Sequence, residues 1–237
     1  MKDLKFLKDS LIAHRGVHID APENTINAFK EAVKKKYIIE FDVHLLKDNT
    51  VVVFHDDNLK RMTGQNKKLK DCTYEEIKDL QLLDSNDYIP TLKEVLKIIN
   101  GKVPIIVELK SDRKVGLLEK ELVKQLDKYK GKFCVKSFNP LSIRWFRKNK
   151  PDYIRGLLVN NKKKSLISAI CRSNLSLIIT RPDFISCNYK LHNNKKILRY
   201  MKKHPVIAWT IKNEEQLLKN KNNFYNLIVD FYEEKEL

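Results

Sequence analysis

The sequence predicts an α/β protein, most specifically a (β/α)8 barrel. Apolar runs of strand length alternate with amphipathic runs along the whole chain, which is typical of repeated βα units around a parallel sheet. There are eight such strand candidates, and the 237 residues approach the roughly 250 of a typical barrel of this kind. An open doubly wound sheet has the same local pattern, so the number of strands alone does not exclude it.

The predicted strands recur at intervals along the chain. They are Leu11–His14, Tyr37–Leu45, Val103–Lys110, Phe133–Phe138, Ile154–Val159, Phe184–Cys187, Val206–Thr210 and Leu227–Asp230. Between them, apolar stripes with a period of about 3.6 residues indicate helices that cover the sheet. Thr91-x-x-Glu94 has the pattern of a capping box, and Thr73-x-x-Glu76 predicts a shorter helix that begins at Tyr74.

One segment departs from the βα alternation. After the second predicted strand, Asp48-Asn49 forms a predicted turn and Val51–Phe54 a returning arm, and a polar stretch follows. The chain has no repeats and no flexible linker that would divide it. We therefore expect a single domain over residues 1–237, with an insertion at about residues 56–90.

Charge restricts the function only weakly. The chain has 47 Lys and Arg against 30 Asp and Glu, a formal net charge of +17. Such a charge attracts phosphate esters, nucleic acid or anionic membranes. Because the basic residues are spread in single positions and short runs such as Lys34–Lys36, we interpret them as a solvated Lys-rich surface. Nucleic acid is not expected as a partner, and attraction to an anionic membrane is expected to be weak.

The cysteines and the N-terminal segment bear on the compartment. The four cysteines are far apart and form no C-x-x-C pair, so they are interpreted as reduced thiols. Met1-Lys2-Asp3-Leu4-Lys5 alternates charged and apolar residues, and neither a secretion signal nor a membrane span is predicted. We expect a cytoplasmic protein; its oligomeric state stays open.

Carboxylates stand at the ends of two predicted neighbouring strands. Glu40 and Asp42 are two residues apart, so both side chains point to the same side of a strand, and Glu108 and Lys110 repeat this spacing. Carboxylates held together in a barrel mouth repel each other, and a divalent cation can offset this repulsion. All-oxygen ligation favours Mg²⁺ or Ca²⁺ over zinc. The alternative is that these are ordinary strand residues paired with lysines.

Two histidines have chemically suitable neighbours. His14 precedes Arg15, whose forked cation suits two phosphate oxygens, and His55 precedes Asp56, which could orient its ring. An imidazole with a pKa of about 6.5 can accept or donate a proton near neutral pH. A general base and a general acid are therefore predicted at these two positions. No catalytic role is assigned to the remaining histidines, His18, His44, His192 and His204.

Two further positions have a structural and a functional interpretation. Pro22-Glu23-Asn24-Thr25 precedes the first helix, so Asn24 or Thr25 is a candidate N-cap, while Glu23 could contact the metal or the substrate. Trp209 either packs in the barrel or forms an aromatic wall for the leaving alcohol.

These motifs as an ordered set resemble the glycerophosphodiester phosphodiesterase family, almost from end to end. The matching segments are His14-Arg15-Gly16, Pro22-Glu23-Asn24-Thr25, Glu40-Phe41-Asp42, Val53-Phe54-His55-Asp56, Glu108-Leu109-Lys110, Ser137-Phe138 and Trp209-Thr210. The resemblance implies a (β/α)8 TIM barrel with a small inserted subdomain after strand two. It also implies metal-dependent hydrolysis of glycerophosphodiesters to glycerol 3-phosphate and an alcohol.

The resemblance further implies roles for individual residues. These are acid–base catalysis by His14 and His55, phosphate contacts by Arg15 and Lys110, and binding of one divalent cation, Mg²⁺ or Ca²⁺, by Glu40, Asp42 and Glu108. The last strand lacks the Gly-rich approach and the Pro that the family usually has around its Asp, so no role is predicted for Asp230.

Two other functions stay open. The same type of barrel could act on lysophospholipids or polyglycerophosphate, with the insertion as one wall of the entrance. A non-catalytic polyanion binder would use the +17 charge, and its binding would weaken steeply with salt and survive loss of Glu40 and Asp42. Paired carboxylates beside an arginine argue against such a binder.

Overall fold

Eight parallel strands form a closed barrel, as predicted. The computed structural model describes residues 2–111, 114–160, 174–202 and 204–230. Within these ranges one sheet has the strand order β1-β9-β8-β7-β6-β5-β4-β2-β3, and a β1–β2 pairing closes it. The strand β3 is antiparallel to β2 and lies outside the barrel. The closing pair excludes the open doubly wound sheet.

The strands agree with the predicted ones to within about two residues at each end. Their bounds are β1 Ile12–His14, β2 Ile38–Leu45, β3 Val51–Val53, β4 Ile105–Leu109, β5 Phe133–Ser137, β6 Arg155–Val159, β7 Phe184–Asn188, β8 Val206–Ile211 and β9 Asn226–Val229. The predicted strand at Val103 begins later, and Pro104, which has no N–H to donate, precedes β4.

Helices alternate with the strands in the described ranges. They are α1 Ile26–Lys34, α2 Lys60–Thr63, α3 Leu92–Ile99, α4 Leu117–Leu126, α5 Pro140–Asn149, α6 Asn174–Thr180, α7 Lys195–Met201 and α8 Glu214–Asn220. Three short 3-10 helices are Lys5–Lys8, Leu69–Asp71 and Tyr189–Leu191. Within these ranges, none of the helices combines the length and the apolar content of a membrane span.

The predicted caps have different outcomes. The capping box of α3 is confirmed, because Glu94 N–H donates to Thr91 Oγ1 and Thr91 N–H donates to Glu94 Oε2. The cap of α1 is Thr25, whose hydroxyl accepts from Ala28 N–H. The helix predicted at Tyr74 is wrong: residues 75–79 form turns, too few residues to propagate a helix.

The alternation of side chains along each strand divides the barrel into two environments. Odd-numbered residues such as Phe41, Leu109 and Val135 pack with α1, α3 and α4 in the largest apolar cluster. Even-numbered residues of β1, β2, β4 and β5 point into the barrel. Their lowest layer is apolar and contains Ile12, Ile38, Ile106 and Cys134, together with Phe184, Ile207 and Ile228. The next even-numbered positions are polar, and they form the candidate site.

The segment between β3 and α3 has an apolar core of its own. Phe54, Leu59, Met62, Leu69 and Ile77 are buried there in a cluster separate from the barrel interior. The segment is therefore a compact subdomain beside the barrel mouth. The proposed division, a single domain over 1–237 with an insertion at about 56–90, stays a prediction.

The structure also accounts for most of the cysteines. Cys72, Cys134 and Cys187 are buried and form no disulfide. Burial raises the pKa of Cys134 and Cys187, so both thiols stay protonated near neutral pH. Cys171 lies outside the described residues.

Gly156 is required where β6 passes the buried ring of Phe184 on β7. The two residues are paired in register, and an added Cβ at Gly156 would overlap the ring. We expect Gly156→Ala to lower the free energy of unfolding by about 1–3 kcal/mol in urea denaturation. Phe184→Leu should relieve the overlap, so the double variant should lose less than the sum of the single losses. Additive losses would contradict this explanation.

Candidate active site

Three carboxylates meet inside the barrel, one polar layer above its apolar base. Glu40, Asp42 and Glu108 are all buried, and one oxygen from each lies within 4.8 Å of the others. Asp42 is opposite Glu108 in the β2–β4 register, and Glu40 is the preceding inward position of β2. Because parallel strands bring their even-numbered residues to one interior, the spacing seen in sequence becomes a single acidic triad.

Cations surround this triad. Lys110 Nζ lies 2.9 Å from Asp42 Oδ1 and 2.5 Å from Glu108 Oε1. Lys136 Nζ lies 2.8 Å from Glu40 Oε1 and 3.3 Å from Glu108 Oε2. Lys136 was not predicted as a site residue, although it occupies an inward position of β5 opposite Glu108.

The pKa shifts follow from this arrangement. Burial opposes ionisation of Asp42, but the charges of Lys110 and Arg15 outweigh it and hold the pKa of Asp42 well below its usual range. Burial likewise opposes ionisation of Glu108, and Lys110 and Lys136 outweigh it, so its pKa is also lowered. Burial disfavours the Lys110 ammonium, yet Asp42 and Glu108 raise the pKa of this lysine. These three groups therefore stay charged near neutral pH.

One oxygen of the triad has no hydrogen-bond partner. Glu40 Oε2 is buried and accepts no hydrogen bond, while Oε1 of the same carboxylate contacts Lys136. A buried oxygen of this kind is costly unless another group binds it. The triad can therefore bind a metal ion.

Each predicted acid–base histidine presents Nδ1 to a carboxylate. His14 Nδ1 lies 3.2 Å from Asp230 Oδ1, and His55 Nδ1 lies 2.6 Å from Asp56 Oδ1. Such a contact orients the ring and, in the neutral form, favours the proton on Nδ1. His14 ends β1 in register with Glu40, so one imidazole adjoins the triad directly.

Asp230 accepts from a second histidine that was not predicted. His18 Nε2 lies 2.8 Å from the same Oδ1 that His14 contacts. Burial alone would raise the pKa of Asp230, but the hydrogen bonds from His14 and His18 lower it strongly. The sequence indicated a site role for Asp230 only through its position at the end of the last strand. Nothing in the sequence indicated a role for His18, because its partner is more than 200 residues away.

A network of charges connects the barrel to the insertion. Arg15 Nη1 donates to Glu23 Oε1 at 2.7 Å, and Arg61 of α2 donates to the same oxygen at 2.6 Å. Arg61 Nε also donates to Asp56 Oδ2 at 2.5 Å. Glu23 thus faces two arginines rather than the triad, and its role in substrate binding stays a prediction. Arg61 was not predicted as a site residue, because its contacts with Glu23 and Asp56 depend on how the insertion packs against the barrel.

Backbone conformation shapes the loop that follows β1. Gly16 has φ 83°, and an added Cβ would lie 2.9 Å from the backbone of Ala28, so only glycine fits against α1. Asn24, with φ 61°, is buried, and its amide donates to Asp42 Oδ2 at 3.1 Å. The segment predicted as a helix start therefore also holds a carboxylate of the triad.

Trp209 packs in the barrel and also contacts a second aromatic ring at the strand ends. Its ring packs against the inner apolar cluster of the barrel and meets Phe138 edge to face, with ring centroids 5.9 Å apart. Phe138 is partly exposed at the end of β5. The pair forms an aromatic surface, and contact of Trp209 with a substrate stays a prediction.

A cleft lined by residues with polar or charged groups lies between the barrel and the insertion. It has a volume of about 840 Å³ and is lined by His55, Asp56, Asp57, Asn58, Lys60, Arg61, Asn66 and Lys110. All of these residues carry polar or ionisable groups. The lining therefore includes both His55, a predicted acid–base residue, and Lys110, a predicted phosphate-binding residue.

The hydrogen bonds that Asp230 accepts make the stability of the fold depend on pH. Because its pKa is lower in the folded state, its charged form stabilises the fold above the unfolded pKa of roughly 3.9. This contribution is lost as the pH falls through the folded value. Asp230→Asn should therefore lower the free energy of unfolding more at pH 7 than at pH 3 in urea titrations. The exposed Asp20 provides a control, and an equal loss for Asp230→Asn at both pH values would contradict the expectation.

Comparison with known proteins identifies the family. The model of the glycerophosphoryl diester phosphodiesterase family matches residues 14–234. The chain is 32% identical over 222 residues to YhdW of Bacillus subtilis, covering 88% of each protein. It is 37% identical over 167 residues to a glycerophosphodiester phosphodiesterase of Caldanaerobacter subterraneus, covering 64% of this chain and 67% of that enzyme.

The fold is also similar to that of a solved structure. A phosphodiesterase of Oleispira antarctica, solved in complex with the product sn-glycerol-3-phosphate, superposes with a TM-score of 0.81 at 23% identity. The match covers 93% of this chain and 92% of the other. The chain belongs to the glycerophosphoryl diester phosphodiesterase family, a family of phosphoric diester hydrolases.

Proposed function

We propose that the protein hydrolyses glycerophosphodiesters to glycerol 3-phosphate and an alcohol, with one divalent cation and two histidines. The observation that carries the proposal is the convergence of the acidic triad, two cationic side chains and two carboxylate-bound imidazoles at one barrel mouth. A non-catalytic polyanion binder requires none of the buried carboxylates. The sn-glycerol-3-phosphate bound to the Oleispira antarctica relative supports a small phosphate ester as the ligand.

Glu40, Asp42 and Glu108 would hold the cation. The partnerless Glu40 Oε2 and an all-carboxylate donor set fit a hard ion, so we propose Mg²⁺ or Ca²⁺. When bound, such an ion polarises a phosphoryl oxygen and orients a hydroxyl nucleophile.

Arg15 and Lys110 would bind the phosphate. The Arg15 guanidinium can donate two parallel hydrogen bonds to phosphate oxygens. Burial disfavours its charge, but Asp42 and Glu23 outweigh this and raise its pKa, so it is always cationic. Lys110 lines the cleft, where its ammonium can reach an incoming anion.

His14 and His55 would move the protons. With Nδ1 of each ring directed at a carboxylate, Nε2 is the nitrogen for exchange with substrate. One histidine accepts a proton from the attacking nucleophile, water or a glycerol hydroxyl, as its oxygen bonds to phosphorus. The other donates a proton to the alcohol oxygen as its bond to phosphorus breaks. After attack by the hydroxyl, water then opens the cyclic phosphate to give glycerol 3-phosphate. Glu23 and Trp209 are proposed as further substrate contacts.

The residues that line the cleft favour a soluble diester over a lysophospholipid. All eight are polar or charged, which suits a small hydrophilic alcohol. We therefore propose glycerophosphodiesters with polar headgroups as substrates. Release of headgroup from lysophospholipid vesicles in preference to soluble diesters would favour the other substrate class.

The proposed chemistry predicts a chelator-sensitive activity. Purified protein should release glycerol 3-phosphate from glycerophosphoethanolamine in a coupled assay, lose this activity in EDTA, and regain it with Mg²⁺ or Ca²⁺. His14→Ala and His55→Ala should lower kcat by about 10²–10⁴-fold. His204→Ala, in which an exposed ring stacked on Tyr200 is lost, is the control and should keep full activity. Full activity in EDTA or in His14→Ala would remove the proposal.

Arg61 should affect catalysis although it belongs to the insertion. Its two carboxylate partners adjoin His55 and Arg15, so Arg61→Ala should lower kcat/KM roughly tenfold. Arg61→Lys should recover only part of the loss, because an ammonium lacks the forked geometry. Lys67, another insertion cation paired with Glu76 at 3.0 Å, gives the matched control Lys67→Ala. Equal kinetics for both alanine variants would show that Arg61 only stabilises the surface.

A further inference from the structure

Lys136 is a buried cation for which the proposed reaction has no task. Its side chain is only 3% exposed, inside the barrel on β5, and it contacts Glu40 at 2.8 Å and Glu108 at 3.3 Å. Lys110 contacts the triad where the cleft is open, whereas Lys136 is closed off from solvent. Lys110 is therefore placed where an incoming phosphate can reach it, whereas the ion pairs of Lys136 are with the triad.

The two lysines divide the oxygens of Glu108 between them. Lys110 contacts Oε1, Lys136 contacts Oε2, and Lys136 also takes Oε1 of Glu40. These contacts restrain both carboxylates and leave Glu40 Oε2 buried without a hydrogen-bond partner. The lysine thus restrains the carboxylate whose second oxygen is available to a metal ion.

Charge balance gives Lys136 a second effect. Three buried carboxylates would attract divalent cations strongly, and more than one, if nothing inside the barrel opposed their charge. A fixed ammonium beside two of the three offsets part of this attraction. The ammonium lies within ion-pair distance of both Glu40 and Glu108, so its charge is placed directly against theirs.

We propose that Lys136 is a built-in counter-cation of the acidic triad, a positioning residue that limits the triad to one divalent cation and lowers its affinity for it. The inference rests on the proposed metal site. It goes beyond that site because it assigns the control of metal affinity and stoichiometry to a buried residue that does not line the cleft.

Thermal unfolding of the whole chain, in EDTA and across a MgCl₂ titration, tests the proposal. In Lys136→Met, Tm in EDTA should fall, the rise of Tm with Mg²⁺ should be larger than in the wild type, and the half-maximal Mg²⁺ concentration should fall on the order of tenfold. Lys136→Gln should behave similarly, and Lys136→Arg should keep the wild-type midpoint. If the Met variant does not fold, the Gln and Arg variants decide. Isothermal titration calorimetry of the wild type should give one Mg²⁺ site.

A matched control and two contrary outcomes complete the test. Lys2 pairs with Asp183 at 3.1 Å at the opposite end of the barrel, so Lys2→Met should lower Tm equally with and without Mg²⁺. If Lys136→Met and Lys136→Gln also lower Tm equally with and without Mg²⁺, or if they bind Mg²⁺ more weakly than the wild type, the inference is wrong. The proposed function would be unaffected by that result. A wild type that neither Mg²⁺ nor Ca²⁺ stabilises would reject the metal site itself.

Discussion

The site depends on the burial of three like charges inside a closed barrel. Carboxylates within 4.8 Å of one another, away from water, repel each other and lose hydration. Arg15, Lys110 and Lys136 offset this cost, and each contacts at least one member of the triad. Removing one partner of a buried ion pair typically costs about 3–5 kcal/mol, so the carboxylates and cations hold one another in place. Strand geometry only needs to bring them to the same layer.

Much of this arrangement could be predicted from the sequence because it follows from short-range periodicity. The spacing of Glu40 and Asp42, repeated by Glu108 and Lys110, already implied two inward positions on each of two strands. Parallel pairing then brings the strand ends together without further information. The barrel, its strands and the acidic triad were accessible for this reason.

The hydrogen-bond and ion-pair partners that lie far apart in the chain could not be predicted from the sequence. Asp230 binds His14 and His18 across more than 200 residues, and Arg61 reaches Glu23 only after the insertion folds. Lys136 has a local signal, its even position on β5, but only the register places it opposite Glu108. The helix predicted at Tyr74 is wrong for the opposite reason, since a local capping pattern was present without the length that helix propagation requires.

The two histidines have different structural origins. His14 ends a parallel barrel strand, whereas His55 follows the antiparallel β3 and its ring is bound to Asp56, which Arg61 of the insertion holds. One of the two proposed proton-transfer groups therefore lies in a segment outside the barrel wall, and its partner carboxylate is held by the insertion. Changes in the insertion would therefore alter the surroundings of His55 and Arg15 while leaving in place the barrel strands that carry the acidic triad.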